Sequence, residues 1–131
     1  MSIMVAYDGS EVAKEVIALA KMHAKAFKED IEVVRVEERS DEMDYTNVQR
    51  LEDKLDNDIK ELMIGDDIPF KTTLLISSSS AGEEIVRHLD VKKSKEILIG
   101  VRRRSKVGKL LFGSTAQYVI LSAPCPVVTR L

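Results

Sequence analysis

The sequence contains a single cysteine, Cys125, so no internal disulfide can form, and a reducing compartment is expected. No apolar run approaches the length of a membrane span. The opening MSIMVAYDGS has neither a basic leader nor a cleavage site, so it is not read as a signal peptide, and the expected location is cytoplasmic. An excess of positive charge is also missing. The 20 Lys and Arg face 22 Asp and Glu, a net charge of -2, which argues against wholesale binding to nucleic acid. The two histidines, His23 and His88, have no cysteine or histidine companion at metal-ligand spacing, so each is expected in a surface or packing role. Neither lies near Ser114 or Cys125 in sequence, so no nucleophile–base pair is visible and no catalytic or metal-binding residue is assigned. Repeats, linkers and low-complexity segments are absent as well.

What is present is enough for a packed domain. The chain has 131 residues, 44% hydrophobic and 32% charged, long enough to bury a core without staples, and 1–131 reads as one domain. Short apolar runs alternate with stretches of helical spacing. Ile3–Tyr7 reads as a buried strand that stops at Asp8-Gly9-Ser10. Ser10 is placed as a helix N-cap with Glu11 in the first turn, and Val12, Val16, Leu19, Ala20 and Phe27 follow at helical steps. Ile31–Val36 is a second strand. The acidic group Glu37, Glu38, Asp41, Glu42 and Asp44 lacks a calcium-loop pattern and reads as a solvated connection. Val48, Leu51, Leu55, Ile59 and Leu62 then mark a long helix that Gly65 stops. Pro69 opens a third strand to Ile76. A serine loop over 77–80 leads into a helix carrying Ile85, Val86 and Leu89. Ile97–Ile99 form a fourth strand that ends at Gly100. A helix from near Gly113 to Ser122 and a last strand, Val127–Thr129, complete the chain.

This β-α alternation predicts an α/β domain with an open, parallel, five-stranded sheet and right-handed crossovers. Ligands of such sheets bind beyond the carboxyl ends of the strands, where strand order reverses. With strand one central, strands two and three on one side and four and five on the other, the reversal falls between strands one and four. Two unusual loops would face that crevice: Asp8-Gly9-Ser10, and GVRRRSKVGKLLFGST over 100–115. Gly113 and Ser114 at a helix start would suit a phosphate, since free amides and the helix dipole attract anions and glycine admits close approach. The plainer reading makes Ser114 an N-cap and Gly113 a turn residue. Asp8 likewise reads either as a turn residue or as part of the site. Cys125, between Pro124 and Pro126, reads as a structural thiol.

These segments resemble the universal stress protein family over nearly the whole chain. IMVAYDGSEVAKEVIALA is similar to the family's first strand and helix, and ILIGVRRRSKVGKLLFGSTAQYVILSAPCPVVTRL to its last third. The resemblance implies a Rossmann-like, adenine nucleotide alpha hydrolase-like fold. ATP-binding members carry Gly, two residues, Gly, nine residues, Gly, then Ser or Thr. Gly100, Gly113 and Ser114 fall on that register, and Arg103 stands in place of the second glycine. By this resemblance Ala6, Tyr7 and Asp8 would lie beside adenine and ribose, Val36 would touch adenine, Gly100 would pass close to ribose and phosphates, and Gly113, Ser114 and Thr115 would hold phosphates. The family also implies a homodimer through the last strand, which agrees with an edge strand's need of a partner.

Arg103 divides the functional readings. An arginine supplies neither close backbone approach nor an easy positive φ, so its side chain would either fill the phosphate pocket or pair with phosphates. Arg102, Arg104, Lys106 and Lys109 add positive charge around it. The first reading is a cytoplasmic, dimeric stress-response protein that binds ATP, with Mg or Mn, or a related adenine nucleotide as a sensor or switch. No base for hydrolysis is identifiable. The alternative is a member that binds no nucleotide and acts through protein–protein contacts made by the arginine loop. Nucleic-acid binding through Arg102–Arg104 is weakest, because Phe112 alone makes no stacking platform. No membrane association is expected.

Overall fold

The computed structural model of the chain describes residues 1–101 and 113–130. Five strands, β1 (Ser2–Ala6), β2 (Asp30–Glu38), β3 (Phe70–Ser77), β4 (Glu96–Gly100) and β5 (Val127–Arg130), form one parallel sheet in the order β3-β2-β1-β4-β5. Four helices connect them: α1 (Glu11–Phe27), α2 (Tyr45–Leu62), α3 (Ala81–Lys92) and α4 (Ser114–Ser122). β1 is central and strand order reverses between β1 and β4, the arrangement assumed in the sequence analysis.

Because strand side chains alternate, β1 feeds two cores. Ile3, Val5 and Tyr7 pack with α1 and α2 on one face, against Val16, Ile17 and Ala20 of α1 and Leu55 and Ile59 of α2. Met4 and Ala6 pack on the other face with Ile85 and Leu89 of α3 and Ala116 and Val119 of α4. Central strands buried on both sides need continuous apolar runs, and β1 and β4 have them. Right-handed crossovers place α1 and α2 on one face while the chain winds out to β3, and α3 and α4 on the other once it reverses.

Three helices begin with a side-chain cap. Ser10, Asp44 and Ser80 accept from the backbone N–H groups of Ala13, Asn47 and Glu83. The fourth differs. Gly113 is the N-cap of α4 and offers no side-chain hydrogen bond, and Ser114 is already the first helical residue. The plainer reading of Ser114 as N-cap is therefore corrected: the extended backbone is at Gly113, so the Ser114 hydroxyl lies inside the first turn.

The acidic connection after β2 is shorter than its composition suggests. Glu37 and Glu38 continue the strand, in register with Ile76 and Ser77 of β3, and Asp44 caps α2. The histidines are more than surface residues. His23 Nδ1 lies 2.6 Å from Glu96 Oε1, and His88 Nε2 lies 3.0 Å from Glu32 Oε2. Both carboxylates are buried, at 7% and 1% exposure. Cys125 is half-buried; burial, and next the Glu96 charge, push its thiol up from the usual range, in keeping with a structural thiol.

Candidate functional site

A cavity of about 360 Å³ opens at the carboxyl ends of β1 and β4, within the size range of small-molecule sites. Strand lengths create it. The β1–β2 ladder ends with Ala6 opposite Val34, and the Tyr7 N–H closes it on the Val34 carbonyl at 2.9 Å. The β2–β3 ladder runs on to Glu38 opposite Ser77. β2 therefore overhangs β1 by several residues. In a strand, alternate residues send their N–H and C=O to the same side. Those of Val36 point the same way as those of Val34, toward the space that β1 has left. One donor and one acceptor thus face the cavity side by side, the pattern that matches the N1 and 6-amino edge of adenine.

The opposite end is built by α4. Gly113, Ser114, Thr115 and Ala116 line it, and the amides of the first turn have no carbonyl of their own helix to reach. With no side-chain cap, this end presents N–H donors and a positive dipole end to the cavity. Val12 and Ala13 of α1 form one wall, and Ala81 and Ile85 of α3 form the other.

Two glycines matter to the cavity: Gly9, in the turn between the lining residues Asp8 and Ser10, and Gly100, which lines it. Gly9 has φ +83°, a conformation few side chains tolerate, and a Cβ there would lie 3.3 Å from Arg35 Nη1. Gly100 packs directly against α1: a Cβ would stand 2.8 Å from Val12 Cγ1 and 3.1 Å from Cγ2. Valine is stiff at χ1 and sits at the start of a capped helix, so it has little freedom to retreat. Gly100→Ala should therefore lower stability by about 1–2 kcal/mol and the melting temperature by about 5 °C in a thermal scan.

Three charged side chains line the cavity among the described residues: Asp8, Arg35 and Glu37. Asp8 Oδ1 accepts the Ser10 N–H at 2.9 Å, which holds the turn after β1. Arg35 Nε donates to Glu37 Oε1 at 2.9 Å, and both side chains are half-buried. The Tyr7 phenol is held above its usual pKa, mainly by burial and then by Asp58, with Lys14, Arg35 and Lys54 opposing. It is therefore a neutral hydroxyl at neutral pH.

Of the residues singled out from sequence, Ala6, Tyr7, Asp8, Val36, Gly100, Gly113, Ser114 and Thr115 all line this one cavity. Arg103 lies outside the described residues, as do Arg102, Arg104, Lys106, Lys109 and Phe112. Arg35 is absent from the residues the sequence marks, and Glu37 appears among them only as part of a solvated acidic connection, a reading the structure corrects, since Glu37 lies in β2 and lines the cavity. Their signal is the interruption of an apolar run, Val34 and Val36 alternating with Arg35 and Glu37, which marks one face of a strand leaving the core. Among the described residues no three His, Cys, Asp or Glu side chains converge as metal ligands, and no helix is long and apolar enough to cross a membrane.

Comparison with known proteins places these features in a family. The model of the universal stress protein family matches residues 1–129. A Thermus aquaticus protein described as a universal stress protein in the QAH/OAS sulfhydrylase 3′ region is 33% identical over 134 residues, covering 97% of this chain and 96% of its own. Among solved structures, a universal stress protein from Archaeoglobus fulgidus is 28% identical with a TM-score of 0.83, over 98% of this chain and 97% of that one. A structure of the universal stress protein from the same organism in complex with dAMP is 25% identical with a TM-score of 0.79, over 98% and 96% of the two chains.

Proposed function

Because this chain belongs to the universal stress protein family, we propose that its switch-point cavity binds an adenine nucleotide, ATP or a close relative, and that the protein serves as a nucleotide-dependent sensor or switch in a cytoplasmic stress response. One observation carries this reading: the two ends of the cavity differ in the way a nucleotide differs. The β2 end offers the Val36 donor–acceptor pair for a base, and the α4 end offers uncapped helix amides for phosphates. The dAMP complex of the Archaeoglobus fulgidus relative supports the assignment. Gly100 would let ribose and phosphates pass close to β4, and Ser114 and Thr115 would add hydroxyl donors. A Mg or Mn ion arriving with a triphosphate would be held mainly by phosphate oxygens and water.

The partner we propose is a second copy of this chain, paired through β5. That strand forms one edge of the sheet, and the outer backbone groups of Val127–Arg130 have no strand beside them in the described chain. A twofold pairing of two such edges would satisfy both.

The test is to denature the purified protein, look for released nucleotide by mass spectrometry, and titrate the emptied protein with ATP by calorimetry. Saturable binding of about one nucleotide per chain is expected. No nucleotide and no heat would overturn the reading and leave a member that acts through protein contacts alone. Light scattering at high micromolar concentration should return twice the chain mass; a monomer would count against the β5 pairing.

A further inference from the structure

Glu37 and Arg35 share one face of β2, two residues apart, with Val36 between them. All three line the β2 end of the cavity. Arg35 reaches over the turn after β1, with Nη1 3.3 Å from where a Cβ of Gly9 would lie. Its Nε is committed to Glu37 Oε1 at 2.9 Å, and that bond fixes the carboxylate in place. A carboxylate has about four acceptor sites, so among the described residues Oε2 and the second lone pair of Oε1 stay available. The other carboxylate of the cavity, Asp8, already takes the Ser10 N–H.

The charges along the cavity restrict what this end receives. Among the described residues, Arg35 and Glu37 offset one another at this end, which offers a phosphate no net positive charge and leaves a carboxylate that accepts from a hydrogen-bond donor. A base that lies against the Val36 backbone places its exocyclic amino group at the Val36 carbonyl. That group has two hydrogens, and the carbonyl takes one. The Glu37 side chain begins at the next residue along the strand, within reach of the second.

We infer that Glu37, oriented by Arg35, is the second acceptor for the nucleobase amino group and sets the preference of this cavity for a 6-aminopurine. The inference rests on the nucleotide reading above. Glu37 is the contact residue and Arg35 a positioning residue. An amino group held between a carbonyl and a carboxylate is distinguished both from a ring carbon bearing hydrogen and from a 6-oxo group, whose lone pairs would face two acceptors.

The experiment titrates the wild type, Glu37→Ala, Glu37→Gln and Arg35→Ala with ATP and with purine riboside 5′-triphosphate, which has hydrogen in place of the 6-amino group. In the wild type ATP should bind more tightly. Glu37→Ala should narrow the ratio of the two affinities by about tenfold through weaker ATP binding alone, since a hydrogen bond to a charged group is lost. Glu37→Gln keeps a carbonyl acceptor and should recover part of the ratio. Arg35→Ala should move the ratio in the same direction as Glu37→Ala, by less. An unchanged ratio in Glu37→Ala, or an equal loss for both nucleotides, would overturn the inference and leave nucleotide binding standing. If the wild type binds neither triphosphate, the underlying reading fails and the inference goes with it.

Discussion

Replacing Gly113 with valine should weaken ATP binding by roughly a hundredfold or more while leaving the melting temperature nearly unchanged, because the loss is of charge-assisted contacts at the phosphate end. The two halves of this expectation come from one fact. Among the described residues a Cβ at Gly113 meets nothing within 4 Å, and φ is -66°, a conformation open to any L-residue. Among the described residues nothing in the fold calls for a glycine here. The cavity does, because the same open space is where a phosphate must approach the first amides of α4. Branched methyl groups there would hold the phosphate beyond hydrogen-bond distance. Calorimetric titration beside a thermal scan decides the matter. Unchanged affinity would mean the phosphates lie elsewhere; a large loss of stability would mean that the glycine serves the fold after all.

The second large effect lies at the other end of the sheet. Removing the imidazole in His88→Ala should cost about 2–3 kcal/mol at neutral pH, because it strips a buried carboxylate of a main partner. Glu32 is 1% exposed, and its Oε2 accepts from Thr73 Oγ1 at 2.7 Å and from His88 Nε2 at 3.0 Å, with Lys71 Nζ 3.9 Å away. Its Oε1 has no partner among the described residues. Burial is the largest single influence on this carboxyl and would raise its pKa. The hydrogen bonds from His88 and Thr73, with the His88 and Lys71 charges, outweigh it, and the pKa ends below the ordinary 4.5. A depressed carboxyl contributes stability that is fully present above about pH 4.5, its unfolded value, and is lost as pH falls through the lower folded value. Without His88 the balance tips toward burial and the folded pKa rises. The variant should therefore be hurt most near neutrality, and its deficit should shrink as the pH is lowered through about 5. Denaturant melts of wild type and variant across that range read the sign directly. Changing Glu32 and His88 together to leucine should cost less than His88→Ala alone, since no charge is then left stranded.

Much of the fold was legible in the sequence because local rules and the global architecture agree. Each central strand is a short apolar run, β-branched in part. Ser10 and the helical spacing behind it mark α1 before any packing is known. Gly65, with φ +85°, follows the end of α2. Alternating elements of this kind have few parallel solutions once crossovers must be right-handed. That is why, with strand one taken as central, the reversal falls between β1 and β4, and why Asp8 and the loop over 100–115 could be expected at one crevice; the expected places of Ala6 and Thr115 come from the family resemblance.

What the residues alone determined is thus the set of elements, the class of sheet, and the glycine and hydroxyl positions around the switch point. What only the tertiary structure decided is where polar groups stand relative to one another. Glu32 reads as one polar residue in an apolar strand. Its partners, Thr73 and His88, are 41 and 56 residues away, and register together with helix packing joins them. Glu37 reads as the first residue of an acidic linker. It becomes a cavity wall because β2 keeps pairing with β3 after β1 has ended. Ser114 reads as a cap until the backbone places the cap one residue earlier. The physical reason is common to all three. Hydrophobic periodicity is a property of one segment and can be read along it, whereas the length of a ladder, the partner of a buried charge and the start of a helix depend on atoms that other segments bring.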